Sequence, residues 1–334
     1  MMRALMAMLS MLFAATASAQ FGVYTFTATD SQSGAINGFV AFVDATKSNV
    51  SPVATARLGA NDPCTLQGFP VRLTTTIDFA AAHRTPFAVN ANLGPGMSDQ
   101  IYETRPCGTP FGLLKDQGQY LAAVEQTGSP RTYGPSLIFP KSGLPLIGPN
   151  PPLHSIDATT AIAGWIGGAC PGQAPGTPLV FKGTNEGATA QPAATLLAPR
   201  TGAGIDVTGK VLIFMVVNGV EPSQGLTLQD FADLLIAFGA KNAVNLDGGG
   251  SSTFAWNPSG FTNQASPLVE NAVNDVKSQY GSITNIKLQD TTPSPCYSYP
   301  HALPGGCQHS PVHDPQHPYR PIYANFGYVA ATRK

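Results

Sequence analysis

A single mixed α/β domain is the fold this 334-residue sequence predicts, with a largely buried β-sheet, one crossover helix and many loops. Three observations point there. Hydrophobic residues make up 43% of the chain, enough to bury a sizeable core, which argues against disorder. Glycine (35) and proline (30) are abundant while charged residues reach only 11%, which rules out a long coiled coil and favours strands joined by loops. Finally, residues 211–247 read as strand, helix, strand, a βαβ crossover unit. The formal net charge of −1, with no basic stripe, argues against nucleic acid as a partner.

The elements follow in chain order. Residues 1–19 read as a signal peptide: Arg3, an apolar run from Ala4 to Ala15, and a small-x-small ending at Ala17-Ser18-Ala19. The mature chain is then expected to begin at Gln20, in a secreted or periplasmic protein, with 20–334 forming the single domain. The apolar run falls short of the ~20 residues a spanning helix needs. The best later one, Val211 to Val217, is only strand length, so no membrane span is expected. From Phe21 to Val43 apolar and polar residues alternate, as in half-buried strands. Ile77 to His83 reads as a short helix and Pro86 to Val89 as a strand, while Gly94 to Pro199 reads as short strands such as Ser136 to Phe139 set among loops.

Val211 to Val217 is a continuous apolar run rich in β-branched residues, expected to be a strand buried on both faces. Thr227-x-x-Asp230 resembles a capping box, with Asp where Glu or Gln is usual. Phe231, Leu234, Leu235 and Phe238 build one apolar helical face, and Gly239 stops the helix. A second strand, Ala243 to Leu246, runs into Asp247-Gly248-Gly249-Gly250-Ser251-Ser252. If the two strands are parallel, Asn218 and Asp247 emerge at the same edge, where open α/β sheets place ligands.

Export permits disulfides among Cys64, Cys107, Cys170, Cys296 and Cys307. Cys296–Cys307, bracketing a Pro/Gly-rich loop, is the first expectation and Cys64–Cys107 the second. His309, His313 and His317 beside Asp314 have zinc-like composition, but Pro311, Pro315 and Pro318 disfavour the helix that would align them, so no metal is expected. No cofactor is expected either. Asn49-Val50-Ser51 is a glycosylation sequon, meaningful in a eukaryotic secretory pathway.

The three glycines after the second strand carry the chemistry. Without Cβ atoms they allow positive φ and a close approach of backbone to ligand. Their N–H groups can converge on an anion, with Ser251 and Ser252 adding hydroxyls. No lysine follows, so a nucleotide P-loop is disfavoured. From spacing alone, Asp247 is equally a functional carboxylate or a turn-capping residue.

The stretch Asn245-Leu-Asp-Gly-Gly-Gly-Ser-Ser-Thr253, with the helix before it, resembles the signature of the phosphodiester glycosidase family. Ala88-Val-Asn90-Ala-Asn92 is similar to the family's Asn-Ala-Asn-Phe-Phe strand end. Pro199-Arg200-Thr201-Gly-Ala-Gly204 resembles its Arg-Thr-x-x-Gly element, and Arg320-Pro-Ile-Tyr-Ala-Asn325 its closing Arg-Pro-x-Ala-Asn strand. The resemblance spans roughly Val23 to Ala331. Two elements depart from the family pattern: Asn218-Gly219-Val220 stands where Asp-Gly-Arg is common, and Leu93-Gly94 where a phenylalanine pair is.

The resemblance implies an exported hydrolase that cleaves the anomeric C–O bond of a glycosyl phosphodiester or a related exported polysaccharide. A phosphate leaves readily, so the general acid of ordinary glycosidases becomes less necessary. What remains is a carboxylate near the developing oxocarbenium and donors on the leaving anion. Asp247 is assigned the first role. Arg200, the Gly248-Gly249-Gly250 amides, Ser251 and Ser252 are assigned the second, with Thr201 and Arg320 as further ligands. Asn90, Asn92 and Asn218 would orient sugar hydroxyls. An uncharged glycoside would instead need a second carboxyl, for which Asp206, Glu221 and Asp275 are candidates. A catalytically inactive carbohydrate-binding envelope protein on the same fold is the alternative from another class.

Overall fold

The computed structural model of the chain describes residues 20–47, 50–94, 106–122, 135–148, 157–164, 178–189, 195–219, 223–256, 265–290, 322 and 324–330. Residues 1–19, Asn49, Cys170, Glu221, the 291–321 segment with its cysteines and histidines, and hence Arg320 and the expected Cys296–Cys307 pair, lie outside them.

In chain order the elements are β1 (Phe21–Asp30), β2 (Gly34–Asp44), β3 (Val50–Ala54), α1 (Pro63–Leu66), β4 (Val71–Arg72), α2 (Thr76–His83) and β5 (Phe87–Asn90). There follow β6 (Cys107–Gly108), β7 (Leu114–Asp116), β8 (Gln119–Ala122), β9 (Ser136–Pro140), β10 (Leu146–Gly148), β11 (Ala158–Ala163), β12 (Val180–Phe181) and β13 (Thr184–Asn185). The last are β14 (Arg200–Ile205), β15 (Val211–Val217), α3 (Leu228–Ala237), β16 (Asn242–Asn245), β17 (Phe254–Trp256), α4 (Pro267–Asn274), β18 (Ile283–Asp290) and β19 (Asn325–Ala330).

An eight-stranded sheet, ordered β13-β12-β16-β14-β15-β2-β1-β18, organises the molecule. Every neighbouring pair in it is antiparallel. Since β14 runs antiparallel to both β15 and β16, those two are parallel to each other, as the crossover reading expects, but with β14 inserted between them. The sequence pattern of a βαβ unit gives the sense of its two strands; it does not say which other strand lies between.

The run 211–217 is buried throughout because the sheet is covered on both faces. Val211, Ile213, Met215 and Val217 pack with Phe231, Leu234, Leu235 and Phe238 on the helix side. Leu212, Phe214 and Val216 face the other way, against Phe87, Val89, Phe254 and Phe326 of a four-stranded sheet ordered β17-β5-β19-β3. Phe214 stacks on Phe326 with ring centroids 5.1 Å apart. A five-stranded sheet, β10-β9-β11-β7-β8, adds Leu114, Leu137, Phe139 and Ile162 to the same core.

Helix α3 starts and stops as its sequence directs. Thr227 is the N-cap and accepts the Asp230 amide at 3.1 Å, while its hydroxyl donates to the Asp230 carboxylate. Asp is too short for the usual reach to the cap backbone, so it takes the cap hydroxyl instead. Gly239 ends the helix at φ +97. The expected helix at 77–83 is α2, capped by Thr75, and the strand expected to close at Leu246 ends one residue earlier. Cys64 and Cys107 form a disulfide with a Cα–Cα distance of 5.3 Å. It closes a separation of 43 residues, which on chain entropy stabilises by about 3–4 kcal/mol.

Candidate active site at the Asp247 edge

The site is built where the carboxyl ends of β15 and β16 meet the start of β14. Arg200 pairs with Val217 and Gly202 with Asn245. Beyond β16 the Leu246 amide donates to the Thr201 carbonyl at 2.8 Å, which carries the register to Arg200 opposite Asp247. Asn218 follows Val217 at this same edge, its amide bonded to the Asn37 carbonyl at 2.9 Å. Alternation along β14 sends Thr201, Ala203 and Ile205 toward the smaller sheets, where Ala203 and Ile205 join the core. Gly202, by contrast, lies against the Phe231 ring on the helix side. Arg200 shares that helix-side face.

Arg200 is buried, 6% exposed, and no carboxylate among the described residues pairs with it; the ion pairs there are Arg72–Asp62 and Lys141–Asp157. Its Nε donates to the Leu226 carbonyl at 2.8 Å and its Nη2 to the Leu196 carbonyl. Burial lowers its pKa to about 10, so it stays charged at neutral pH. A guanidinium has five N–H donors, so these two bonds leave three for a ligand. The Nη1 faces the glycine turn: a Cβ at Gly248 would lie 4.0 Å from it and 3.2 Å from the Pro199 carbonyl oxygen.

The turn itself is a single 3-10 turn, Gly249–Ser251, with Gly249 at φ +58. Of the three glycine amides expected to cradle an anion, that of Gly249 is taken by a backbone carbonyl, and the two serine amides close the turn. Gly249 donates to the Pro199 carbonyl at 3.0 Å, Ser251 to Gly248 at 3.3 Å and Ser252 to Gly249 at 3.1 Å. The Ser252 hydroxyl is fully buried and has no hydrogen-bond partner among the described residues. Asp247 is 7% exposed and its main chain is held at both ends: its amide donates to the Ala91 carbonyl at 2.8 Å, and its carbonyl accepts Asn90 Nδ2 at 2.6 Å.

Two of the three asparagines assigned to sugar hydroxyls, Asn90 and Asn92, are committed internally. Asn90 Oδ1 accepts the Thr201 hydroxyl at 2.7 Å and the Thr253 amide at 2.9 Å. Asn92 Nδ2 donates to the Phe111 and Leu113 carbonyls at 2.8 and 3.0 Å, and its Oδ1 accepts the Ala163 amide at 3.3 Å. Asp206 is remote, at the opposite end of β14, on the order of 20 Å from Arg200 at ~3.3 Å per residue. Asp275 caps the end of α4. No group of His, Cys, Asp or Glu among the described residues is arranged to hold a metal ion. No helix among them is long and apolar enough to cross a membrane.

Sequence reasoning missed Thr253, whose amide fixes Asn90, and the carbonyls of Leu196, Pro199 and Leu226, which hold the arginine and the turn. Thr253 closes the motif stretch and could have been singled out. Backbone carbonyls leave no mark in a sequence.

A family model described as phosphodiester glycosidase matches residues 165–277. Two curated relatives match in part, both N-acetylglucosamine-1-phosphodiester alpha-N-acetylglucosaminidases. The bovine protein is 39% identical over 62 residues, 19% of this chain and 12% of the relative. The human protein is 26% identical over 113 residues, 34% of this chain and 22% of the relative. The matched stretches thus span less than a quarter of either relative. Among solved structures, the catalytic domain of the zebrafish enzyme of that name, auto-inhibited by its pro-peptide, shares the fold. It has a TM-score of 0.52 and 19% identity over 75% of this chain and 76% of that one. Residues 165–277 take in the Arg200 strand, the crossover helix and the Asp247–Ser252 turn, and it is through that segment that the chain is similar to the phosphodiester glycosidase family.

Proposed function

We propose that this chain is an exported hydrolase that cleaves the anomeric C–O bond of a glycosyl phosphodiester. The observation that carries the reading is the buried Arg200 guanidinium, without a carboxylate partner among the described residues and with its Nη1 against the Gly248 turn beside Asp247. A buried cation without an anionic partner costs stability, and an anionic ligand there would offset that cost. The names of the curated relatives supply the substrate class, an N-acetylglucosamine 1-phosphodiester.

In this reading water attacks the anomeric carbon while the bond from that carbon to the phosphate oxygen breaks. The electron pair leaves with the phosphate monoester, the sugar becomes a hemiacetal, and the water gives up a proton to solvent. Asp247 supplies negative charge beside the oxocarbenium. Arg200 supplies bidentate donors to the departing phosphate. Asn218-Gly219-Val220 contributes no second arginine, so Arg200 carries the anion alone among the described residues. The Met1–Ala19 leader would export the chain.

The test is hydrolysis of a panel by purified protein. Methyl phosphodiesters of glucose and N-acetylglucosamine 1-phosphates are compared with the matching p-nitrophenyl glycosides, each with wild type and Asp247→Asn. Turnover of the phosphodiesters, lost in the variant, is the expected result. Turnover of the aryl glycosides would assign an acid–base mechanism with a second carboxyl. Binding without turnover would assign a carbohydrate-binding protein.

A further inference from the structure

We infer that Asn90 is a positioning residue that sets the Asp247 main chain, and that it makes no contact with substrate. The inference rests on the hydrolase reading for what Asp247 does, and on hydrogen-bond geometry for the rest.

The orientation of the Asn90 amide follows from its neighbours. The Thr253 amide can only donate, so the atom it meets at 2.9 Å must be the oxygen. The nitrogen therefore faces the Asp247 carbonyl at 2.6 Å. That oxygen in turn obliges the Thr201 hydroxyl, 2.7 Å away, to act as a donor. Both lone pairs of Oδ1 are then taken, and the side chain is wholly buried. A sugar hydroxyl could reach Oδ1 only by breaking one of these bonds, which costs more than a surface contact returns, and the second Nδ2 hydrogen is as fully buried as the rest of the side chain.

One side chain thus ties the end of β5 to the start of β14, to the residue before β17 and to the Asp247 turn. Ala91, next in the chain, accepts the Asp247 amide at 2.8 Å. Residues 90 and 91 together fix both polar groups of the Asp247 backbone, so the origin of its carboxylate side chain is set by β5.

Asn90→Asp is nearly isosteric and tests this sharply. One carboxylate oxygen keeps the bonds from Thr201 and Thr253, while the other confronts the Asp247 carbonyl. Ionised, it repels; protonated, it donates as the amide did. Asp247 and Arg200 are charged groups buried at this edge.

With the N-acetylglucosamine methyl phosphodiester as substrate, kcat should fall about 50-fold at pH 8 with KM within about threefold. The deficit should shrink as pH falls and the new carboxyl takes up its proton. In an Asp247→Asn background the added Asn90→Asp change should leave both the residual rate and the substrate Kd, measured by calorimetry, within about twofold. Additive losses, or a Kd weakened tenfold, would place Asn90 on the sugar and overturn the proposal.

A second arm needs no turnover. The Asp247 carboxyl carbon is titrated by NMR in wild type, Thr201→Val and Thr201→Ser. Removal of the hydroxyl donor should move the midpoint by about half a unit, and serine should restore it. An unmoved midpoint in Thr201→Val sinks the clasp. A moved midpoint in a protein inactive on the whole panel keeps the clasp and discards the hydrolase reading.

Discussion

The two ends of the β14–β15 pair treat polar groups in opposite ways. At the hairpin end, Asp206 accepts the Val211 amide at 2.9 Å and the Thr208 hydroxyl at 2.6 Å, and the Lys210 amide bonds the same hydroxyl at 3.2 Å. Val207, Thr208 and Lys210 are exposed there, and every bond closes a turn. At the other end Arg200 and Asp247 are nearly buried, the arginine has no carboxylate partner among the described residues, and the Ser252 hydroxyl is sealed in with no hydrogen-bond partner among them. One end thus carries a self-satisfied turn, and the other a buried arginine without a carboxylate partner and a buried serine hydroxyl without a hydrogen-bond partner among the described residues. A fold does not need the second arrangement, and in the proposed function it is the end that takes the ligand.

Substitution of the two aspartates gives the largest contrast. Asp247→Asn should lower kcat on the phosphodiester by about 10³-fold, since the charge beside the oxocarbenium is lost while the shape is kept. Asp206→Asn should leave kcat within about twofold and cost at most about 1 kcal/mol of stability, the scale of a turn hydrogen bond. Steady-state kinetics with urea unfolding of both variants checks the pair. Equal effects on kcat would erase the distinction between the ends.

Arg200→Met comes next. Phosphodiester kcat/KM should fall about 10²-fold, with any aryl glycoside activity changed less than about threefold. Stability should hold or rise, because a buried charge with no carboxylate partner among the described residues is removed. The pH dependence has a definite sign. Burial lowers the folded-state pKa to about 10, below the usual guanidinium value, so the destabilising charge is fully present below pH 10 and is relieved only as pH rises toward the unfolded value. The stability difference between wild type and variant should therefore be flat across about pH 6–9, and wild-type phosphodiester activity should decline above about pH 10. A sloping difference at neutral pH would mean that Arg200 has a titrating partner.

The sequence disclosed the parts of this edge whose information is local. The apolar run at 211–217, the Thr227–Asp230 cap, the 231–238 face, the stop at Gly239 and the turn at 247–252 were all readable because each is fixed by neighbours within a few residues. The insertion of β14 between two parallel strands was not, since an antiparallel strand of six residues leaves the crossover pattern unchanged. Nor was the fate of Asn90 and Asn92 readable. Their type at a strand end suits a sugar as well as a clasp, and the partners that decide, Thr201 and Thr253 for one and Ala163 for the other, are 71–163 residues away in the chain. Cys64–Cys107, the second of the two pairs expected, is formed across 43 residues, while the first, Cys296–Cys307, lies outside the described residues.

Two glycines give the smallest and cleanest test of the comparison, because both have positive φ and sit at opposite ends. Gly225, at φ +79, lies just before the crossover helix; a Cβ there would meet the Ala198 carbonyl carbon and oxygen at 2.2 Å. That carbonyl accepts the Leu226 amide at 3.0 Å, and Leu226 in turn accepts Arg200 Nε. Gly225→Ala must displace backbone, so it should cost about 3 kcal/mol and disturb the arginine, lowering kcat/KM about tenfold in the protein that remains folded. Gly209, at φ +72 in the hairpin, would place a Cβ no closer than 3.7 Å to the Leu144 side chain. Only the conformational penalty remains there, about 1 kcal/mol for Ala and less for Asn, which tolerates the left-handed region. Asparagine should therefore relieve the defect at Gly209 and worsen it at Gly225, where the obstacle is space rather than φ. Thermal melts of the four variants read this directly. Relief at both positions would show that the site end is strained by its backbone angle alone, and that the close packing of Ala198, Gly225 and Leu226 does not hold the arginine in place.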